Sequence, residues 1–122
     1  MGTRKTTPRG GAPLPAAEFQ ILLALFDRPR HGHGVRRHVA ARTDDAVEIG
    51  PGTLYMAIKR MLESGLIVET DERPDGGETD ERRRYYRITE TGRKVARAEA
   101  ERLRKLLHLA VDKKLLEGTG PA

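Results

Sequence analysis

The chain has 122 residues, of which 37% are hydrophobic and 34% are charged, so it can form one small domain with a thin core. It has no cysteine, which excludes disulfide bridges and thiolate metal sites, and its two Phe and three Tyr cannot line a large aromatic pocket within one chain. The net charge of +5 favours a polyanionic partner.

The first segment, residues 1–13, is rich in Gly, Pro, Thr and Arg and has no apolar periodicity. We predict a disordered basic tail there. It lacks the apolar core of a secretory signal, and nowhere does the chain approach the roughly 18 consecutive apolar residues of a membrane span. We therefore expect a cytoplasmic protein without a membrane partner.

Two helices are predicted in the next part of the chain. The first runs from Pro15 to Asp27, because proline suits the first position of a helix. It is apolar around more than half of its circumference and therefore needs cover from its own domain and from a partner chain. The residues assigned to the partner are Phe19, Leu22 and Phe26. After a break at "DRPRHGHG", the second helix runs from Gly34 to Arg42.

The third helix follows within "GPGTLYMAIKRMLESGLI" (Gly50–Ile67). At 100° per residue, one side of this helix is apolar and is predicted to face inward. The inward residues are Leu54, Ile58, Met61 and Leu62. The opposite side is basic and includes Lys59 and Arg60. Gly65 is predicted to end the helix, because a left-handed conformation costs glycine little.

Two β-compatible runs, "LIVETDE" and "RRRYYRIT", flank a turn rich in Pro, Asp and Gly and predict a β-hairpin. Side chains alternate between the two faces of a strand. The alternation places Tyr86 and Ile88 on the buried face, and Arg83 and Tyr85 on the outer face.

Thr89 is predicted to cap a fourth helix that runs from Glu90 to about Leu116. The apolar stripe of this helix is longer than the preceding domain can cover, and such stripes usually find a partner. We therefore predict a homodimer. The stripe residues assigned to dimerisation are Leu103, Leu106, Leu107, Ala110 and Val111.

The order of helix, helix, helix, hairpin and long helix predicts a mainly α fold. Residues 14–89 would form a winged helix-turn-helix, residues 90–117 a C-terminal dimerisation helix, and residues 118–122 a frayed tail. In that architecture the third helix enters the major groove of double-stranded DNA and the hairpin contacts the flanking backbone. The candidate contacts from these elements are Thr53, Tyr55, Met56, Lys59, Arg60, Arg82, Arg83 and Arg84.

Three segments resemble the PadR family of bacterial transcriptional regulators: "HGHGV" (His31–Val35), "GPGTLYMAIKRMLESGLI" and "RRRYYRITETGR" (Arg82–Arg93). Their order and spacing are specific, and the resemblance extends from about Leu14 to Leu116. It implies a winged helix-turn-helix and, as in the short subgroup, a single C-terminal dimerisation helix. It also implies a repressor that is relieved by a small molecule or another cue.

The resemblance also assigns a phosphate contact to His33, which stands where the family often has Tyr. Some short members bind flat drugs between tryptophans at the dimer interface, but this chain has no Trp. We hypothesise instead an apolar effector, of unknown identity, in a cavity between the first and last helices of a dimer. No cofactor is predicted.

The leading hypothesis is a dimeric repressor that binds a pseudo-palindromic operator in the bacterial nucleoid. One alternative is a protein–protein adaptor that does not bind DNA, since the hairpin segment is acidic. A metal site at His31, His33 and His38 is a further alternative, although their spacing is poor and no cysteine supports them. No phosphate-cradling loop or nucleophile elbow is present, so an enzyme is not predicted.

Overall fold

The computed structural model describes residues 13–42, 49–74 and 83–117. In chain order these ranges contain α1 (Ala16–Leu25), β1 (Arg30–His31), α2 (Gly32–Arg42), α3 (Pro51–Glu63), β2 (Ile67–Thr70), β3 (Tyr85–Ile88) and α4 (Glu90–Asp112). The strands form an antiparallel sheet in the order β1-β3-β2. The predicted winged helix-turn-helix with a long last helix is therefore confirmed. Residues 1–12 of the predicted N-terminal tail (residues 1–13), and the predicted tail at residues 118–122, lie outside the described residues.

The core lies where the first three helices meet the sheet. Ile21 from α1, Val35 from α2, Met61 from α3 and Ile67 from β2 are completely buried. Burial of one such side chain stabilises the fold by about 1.5–3 kcal/mol. The core therefore holds α3 and the sheet in one arrangement, which positions every surface described below.

The break between α1 and α2 contains a strand that was not predicted. α1 ends at Leu25 rather than at Asp27, and the chain then turns into β1, which pairs Arg30 with Tyr86 of β3. α2 begins directly afterwards at Gly32, two residues earlier than expected. A two-residue strand has no periodicity of its own, so only its pairing with β3 defines it.

α3 begins with Pro51 in its first turn and ends as predicted at a glycine. Gly65 has φ +79°, and the amide of Leu66 donates to the carbonyl oxygen of Met61 at 2.9 Å. This left-handed end satisfies carbonyl groups that the helix leaves unpaired. It also directs the chain straight into β2.

The inward face of α3 differs from the prediction at one position. Leu54, Ile58 and Met61 are buried as expected, but Leu62 is 38% exposed and Ala57 takes the remaining inward place. The core lies on the Ala57 side of Leu54 and Met61, so Leu62 is left at the opposite edge of the apolar face.

The sheet buries both tyrosines of β3. β2 pairs with β3 from Ile67 opposite Ile88 to Thr70 opposite Tyr85, which gives the predicted hairpin. The prediction that Tyr85 lies outward is wrong, because this side chain is only 2% exposed. The edge of the His31 ring and the guanidinium of Arg73 cover it, at 5.1 Å and 4.3 Å between centres.

α4 starts at the predicted cap. The Thr89 hydroxyl accepts the amide of Gly92 at 2.9 Å and donates to the carbonyl oxygen of Gly65 at 2.6 Å, so it ties the start of α4 to the end of α3. Gly92 is packed so closely that an added Cβ would lie 2.2 Å from the carbonyl oxygen of Leu66. A side chain at this position would force the two elements apart.

α4 ends at Asp112 rather than near Leu116. Lys114 has φ 65°, and the amide of Leu115 donates to the carbonyl oxygen of Ala110 at 2.8 Å. The helix thus ends in a left-handed turn without the glycine that usually marks one. Within the described ranges, no helix is long and apolar enough to span a membrane.

The first half of α4 is attached to the domain through a buried carboxylate. Glu99 is 5% exposed, accepts the amide of Leu14 at 3.2 Å and binds the guanidinium of Arg102 at 2.6 Å and 3.0 Å. The Arg102 hydrogen bond, supported by the Leu14 amide and opposed by burial, lowers the pKa of Glu99. Glu99 therefore fixes the chain that precedes α1 against α4.

Candidate nucleic-acid interface

We call the hairpin of β2 and β3, with Arg83 and Arg84 that lead into β3, the wing. α3, the start of α2 and the wing line a groove with a volume of about 680 Å³. We call it the recognition groove. Its lining residues are His31, Gly32, His33, Arg36, Pro51, Leu54, Tyr55, Ile58, Lys59, Leu62, Arg83, Arg84 and Tyr86. Five predicted DNA contacts from three separate segments therefore lie on one surface. Leu62 and Arg36, which were not predicted as surface contacts, also lie on it.

The outer face of α3 is well exposed beside this groove. Tyr55 is 66% exposed, and Thr53 and Met56 are also exposed on the first turns of the helix. Lys59 lies one turn further along and is 3.6 Å from Glu63 in an exposed ion pair. Such pairs contribute little to stability, so Lys59 can exchange Glu63 for another anion at low cost.

Arg60 has different surroundings from Lys59. Its Nε donates to Oε2 of Glu18 at 3.0 Å, and the Glu18 side chain is 1% exposed. The pair joins α3 to α1 on the flank away from the recognition groove. Arg60 was predicted as a DNA contact; in the structure its side chain is 51% exposed and is held by Glu18.

The wing contributes two arginines, Arg83 and Arg84, to the recognition groove. Arg84 lies 3.8 Å from Glu69 on the neighbouring strand, and Nη1 of Arg83 lies 2.9 Å from Nε2 of His31. The predicted contact Arg82 lies outside the described residues. Both described arginines line the recognition groove, so the wing adds positive charge at its edge.

His31 was not among the predicted DNA contacts, yet it connects the parts of the groove. Its Nδ1 accepts the amide of Gly34 at 3.0 Å, and its ring stacks parallel to His33 at 6.2 Å. The other nitrogen faces Arg83, so the buried ring links the start of α2 to the wing. The sequence signal for this role is weak, because Arg83, which the His31 ring joins to the start of α2, lies 52 residues away in the chain.

The predicted dimer residues fall into three environments. Leu22 is completely buried in the core of its own chain and has no surface left for a partner, whereas the neighbouring Leu23 is 41% exposed. Phe19 and Phe26 are partly buried against the core, and Arg93 covers the Phe26 ring at 4.6 Å.

On α4 the stripe remains largely open. Leu106 and Leu107 are about half exposed, at 50% and 55%, and Leu103, Ala110 and Val111 are partly buried. The apolar surface available to a partner therefore lies mainly on the second half of α4.

Comparison with known proteins identifies the family of the chain. The model of the transcriptional regulator PadR-like family matches residues 21–98. An uncharacterized protein of Lysinibacillus sphaericus is 32% identical over 75 residues, which are 60% of this chain and 64% of that protein. The chain thus spans less than two thirds of the length of this relative.

Solved structures share the fold. A transcriptional regulator from Clostridium thermocellum matches with a TM-score of 0.65 at 29% identity, over 79% of this chain and 86% of that one. Bacillus subtilis PadR in complex with operator DNA matches with a TM-score of 0.57 at 13% identity, over 87% of this chain and 50% of that one. The second likeness supports the fold alone.

The family match extends from α1 through the recognition groove into α4, so it includes all the elements that form the interface. It agrees with the resemblance carried by the three sequence segments and with the observed winged helix-turn-helix. The chain therefore belongs to the PadR-like family of transcriptional regulators, which are DNA-binding proteins and not enzymes.

Proposed function

We propose that this regulator is a homodimeric repressor in which α3 of each subunit enters the major groove of one half-site of an operator. The observation that carries the proposal is the recognition groove, where residues of α3, α2 and the wing line one basic surface. Duplex DNA is the polyanion whose shape matches a projecting helix flanked by a cationic wing.

The predicted DNA contacts in and beside the groove divide into two proposed roles. Thr53, Tyr55 and Met56 stand on the exposed first turns of α3, where a recognition helix reaches base edges. Lys59, Arg83 and Arg84 carry the charge that neutralises backbone phosphates, and His33 at the start of α2 donates to a further phosphate. Phosphate contacts set the position of the protein, and base contacts set the preferred sequence.

The dimer is proposed from the exposed second half of α4. A stripe that carries Leu106 and Leu107 at about half exposure is unfavourable in water, and a second copy of the same stripe covers it symmetrically. Exposed Leu23 on α1, with Phe19 beside it, extends this surface. Two recognition helices related by such an axis would read half-sites about 34 Å apart.

Repression follows if the operator overlaps a promoter, because the dimer bound to the nucleoid DNA then blocks the polymerase at that promoter. Release requires a cue that lowers affinity for the operator. The apolar effector cavity predicted between the first and last helices needs the second subunit for its walls. It remains a proposal.

The test is fluorescence anisotropy with the DNA upstream of the regulator's own gene and an unrelated fragment, each at two salt concentrations. We expect tighter binding to the upstream fragment and a steep loss of affinity as salt rises. A promoter-reporter assay then gives the sign of regulation, with lower expression expected when the protein is present. Absence of DNA binding even at low salt would refute the proposal and favour the adaptor alternative.

A further inference from the structure

A second cavity, of about 240 Å³, lies on the other side of His31 from the recognition groove. We call it the basic pocket. One wall is the chain between α1 and α2, and the other is a face of α2. Its principal lining residues are Arg28, Arg30, His31, Gly34, Arg37 and His38.

The positive charge of this pocket is poorly compensated. Among the described residues, no acidic side chain lines it, and neither Arg28 nor Arg37 has an ion pair or a hydrogen bond. Two cations of the recognition groove differ in this respect, since Lys59 lies beside Glu63 and Arg84 beside Glu69. Arg28 and Arg37 are both exposed, so neither guanidinium group has to leave another partner to bind an anion in the pocket.

Arg30 is held firmly at the wall of the pocket. Its Nε donates to the carbonyl oxygen of Ala24 at 2.6 Å, and its Nη2 lies 3.6 Å from Asp27. A fixed guanidinium loses little conformational entropy when it binds an anion, so the site is partly preorganised.

The charge also acts on His38. Burial lowers the pKa of His38, and the positive charges of Arg30 and Arg42 lower it further, opposed only by Asp27. The ring is therefore in a region of positive potential. An anion in the pocket would reduce this potential.

We propose that the basic pocket binds a small anion that carries a phosphate-type group, held by Arg28 and Arg37 against the fixed Arg30. Arginine guanidinium groups match the tetrahedral oxygens of phosphate and can donate two hydrogen bonds at once. The volume of about 240 Å³ limits the occupant to a small molecule.

The position of the pocket favours a free anion over a phosphate of the operator. On α2, Gly34 and His38 lie about 160° around the helix from Arg36, which lines the recognition groove, and Arg37 lies about 100° from it. A duplex seated on the groove therefore contacts a different flank of α2 from the one that lines the basic pocket.

The pocket and the recognition groove share His31. Its Nδ1 faces the Gly34 amide at the pocket, and its Nε2 faces Arg83 of the wing. Both neighbours are donors, and a neutral imidazole has one lone pair to offer them. An anion that draws the Gly34 amide away from Nδ1 would therefore change the contact between His31 and Arg83. This regulatory consequence rests on the proposed function, whereas anion binding does not.

The first test is an NMR titration with inorganic phosphate at constant ionic strength, adjusted with chloride and followed at the Gly34 amide and the His38 ring. We expect saturation with a dissociation constant of about 1 mM or tighter. Arg28→Ala and Arg37→Ala should each weaken binding at least about tenfold. Arg87→Ala is the matched control, because Arg87 is an exposed wing arginine without an ion pair among the described residues. A wild-type protein without saturation, or an equal loss in the control, would overturn the proposal.

The second test separates a free anion from a DNA phosphate. Operator affinity of Arg37→Ala is measured over a range of salt without phosphate, and we expect wild-type affinity and salt slope. We also expect added phosphate to change operator affinity of the wild type and not of Arg37→Ala. A salt slope reduced by about one in the variant would show that the pocket holds a backbone phosphate, and would overturn the proposal. If the wild type binds no DNA, the proposed function fails, while the titration still decides whether the pocket binds an anion.

Discussion

Lys59 and Arg60 are adjacent cations on α3, but their side chains lie in different surroundings. Lys59 lines the recognition groove in an exposed pair with Glu63, and Arg60 is bound to the buried carboxylate of Glu18 on α1. An exposed cation is available to DNA, whereas a cation that partners a buried carboxylate mainly maintains the fold. Single substitutions should therefore separate the two roles.

We expect Lys59→Ala to weaken operator binding about three- to tenfold and to reduce the salt slope by about one, because one phosphate contact is lost. Its free energy of unfolding should stay within about 0.5 kcal/mol of wild type. Arg60→Ala should instead lower that free energy by about 1–3 kcal/mol. Anisotropy and urea unfolding of both variants provide the comparison. Equal stability and equal loss of DNA affinity in the two would contradict this division.

A second residue-scale prediction concerns Glu99. Its pKa in the folded chain lies below the ordinary 4.5, chiefly through the Arg102 hydrogen bond, so the ionised form stabilises the fold at neutral pH. The contribution is present above about pH 4.5 and is lost as the pH falls through the lowered pKa. We expect Glu99→Gln to cost about 1–2 kcal/mol at pH 7, and this difference from wild type should shrink in acid.

The matched control for Glu99→Gln is Glu101→Gln. Glu101 pairs with Arg104 at the same spacing as Glu99 with Arg102, but both members of the Glu101–Arg104 pair are exposed. Its substitution should cost no more than about 0.5 kcal/mol. The free energy of unfolding of both variants is measured by urea denaturation between pH 3 and 7. A difference for Glu99→Gln that does not depend on pH would count against the role of its charge.

At the scale of elements, the end of α3 and the start of α4 are joined through Thr89 and Gly92. We expect Gly92→Ala to lower the free energy of unfolding by about 1–3 kcal/mol, because its Cβ would collide with the backbone of Leu66. Gly52→Ala in the first turn of α3 is the control, since no atom lies within 4 Å of a Cβ placed there. It should be neutral or stabilise the chain by about 0.5 kcal/mol. Chemical denaturation of the two variants would show the contrast, and similar values would argue against close packing at Gly92.

At the scale of the whole molecule, α4 carries the surface proposed for dimerisation. Leu107 and Leu109 are similarly exposed, but they lie about 160° apart around the helix, and only Leu107 belongs to the stripe. We expect Leu107→Glu to dissociate the dimer, because a carboxylate would be buried without a partner. Leu109→Glu should leave the dimer intact. Sedimentation velocity measures both, and a wild type that is monomeric at all concentrations would refute the dimer itself.

Loss of the dimer should also weaken operator binding strongly, because a separate subunit binds only one half-site. Two linked half-sites bind with a high effective concentration, and separate subunits lose that advantage. Anisotropy of Leu107→Glu and Leu109→Glu with the upstream fragment should show the loss only in the first. Equal affinities would mean that one subunit suffices for recognition.

The sequence alone determined the winged helix-turn-helix, the cap at Thr89, the stop at Gly65 and the position of α3. Each individual element depends on residues within a few positions of one another, so local pattern and turn chemistry are sufficient to predict it. The order of these elements along the chain then indicated the winged helix-turn-helix. The stripe on α4 was visible for the same reason, because helical periodicity is a local property.

Only the tertiary structure decided which partner each charged or aromatic side chain has. The pairing of Arg60 with Glu18, the cover over Tyr85 and the link from Gly34 through His31 to Arg83 join segments far apart in the chain. No local pattern specifies such pairs, because they arise when the helices and the sheet pack in one arrangement. The basic pocket likewise exists only because β1 pairs with β3 and holds Arg30 beside α2.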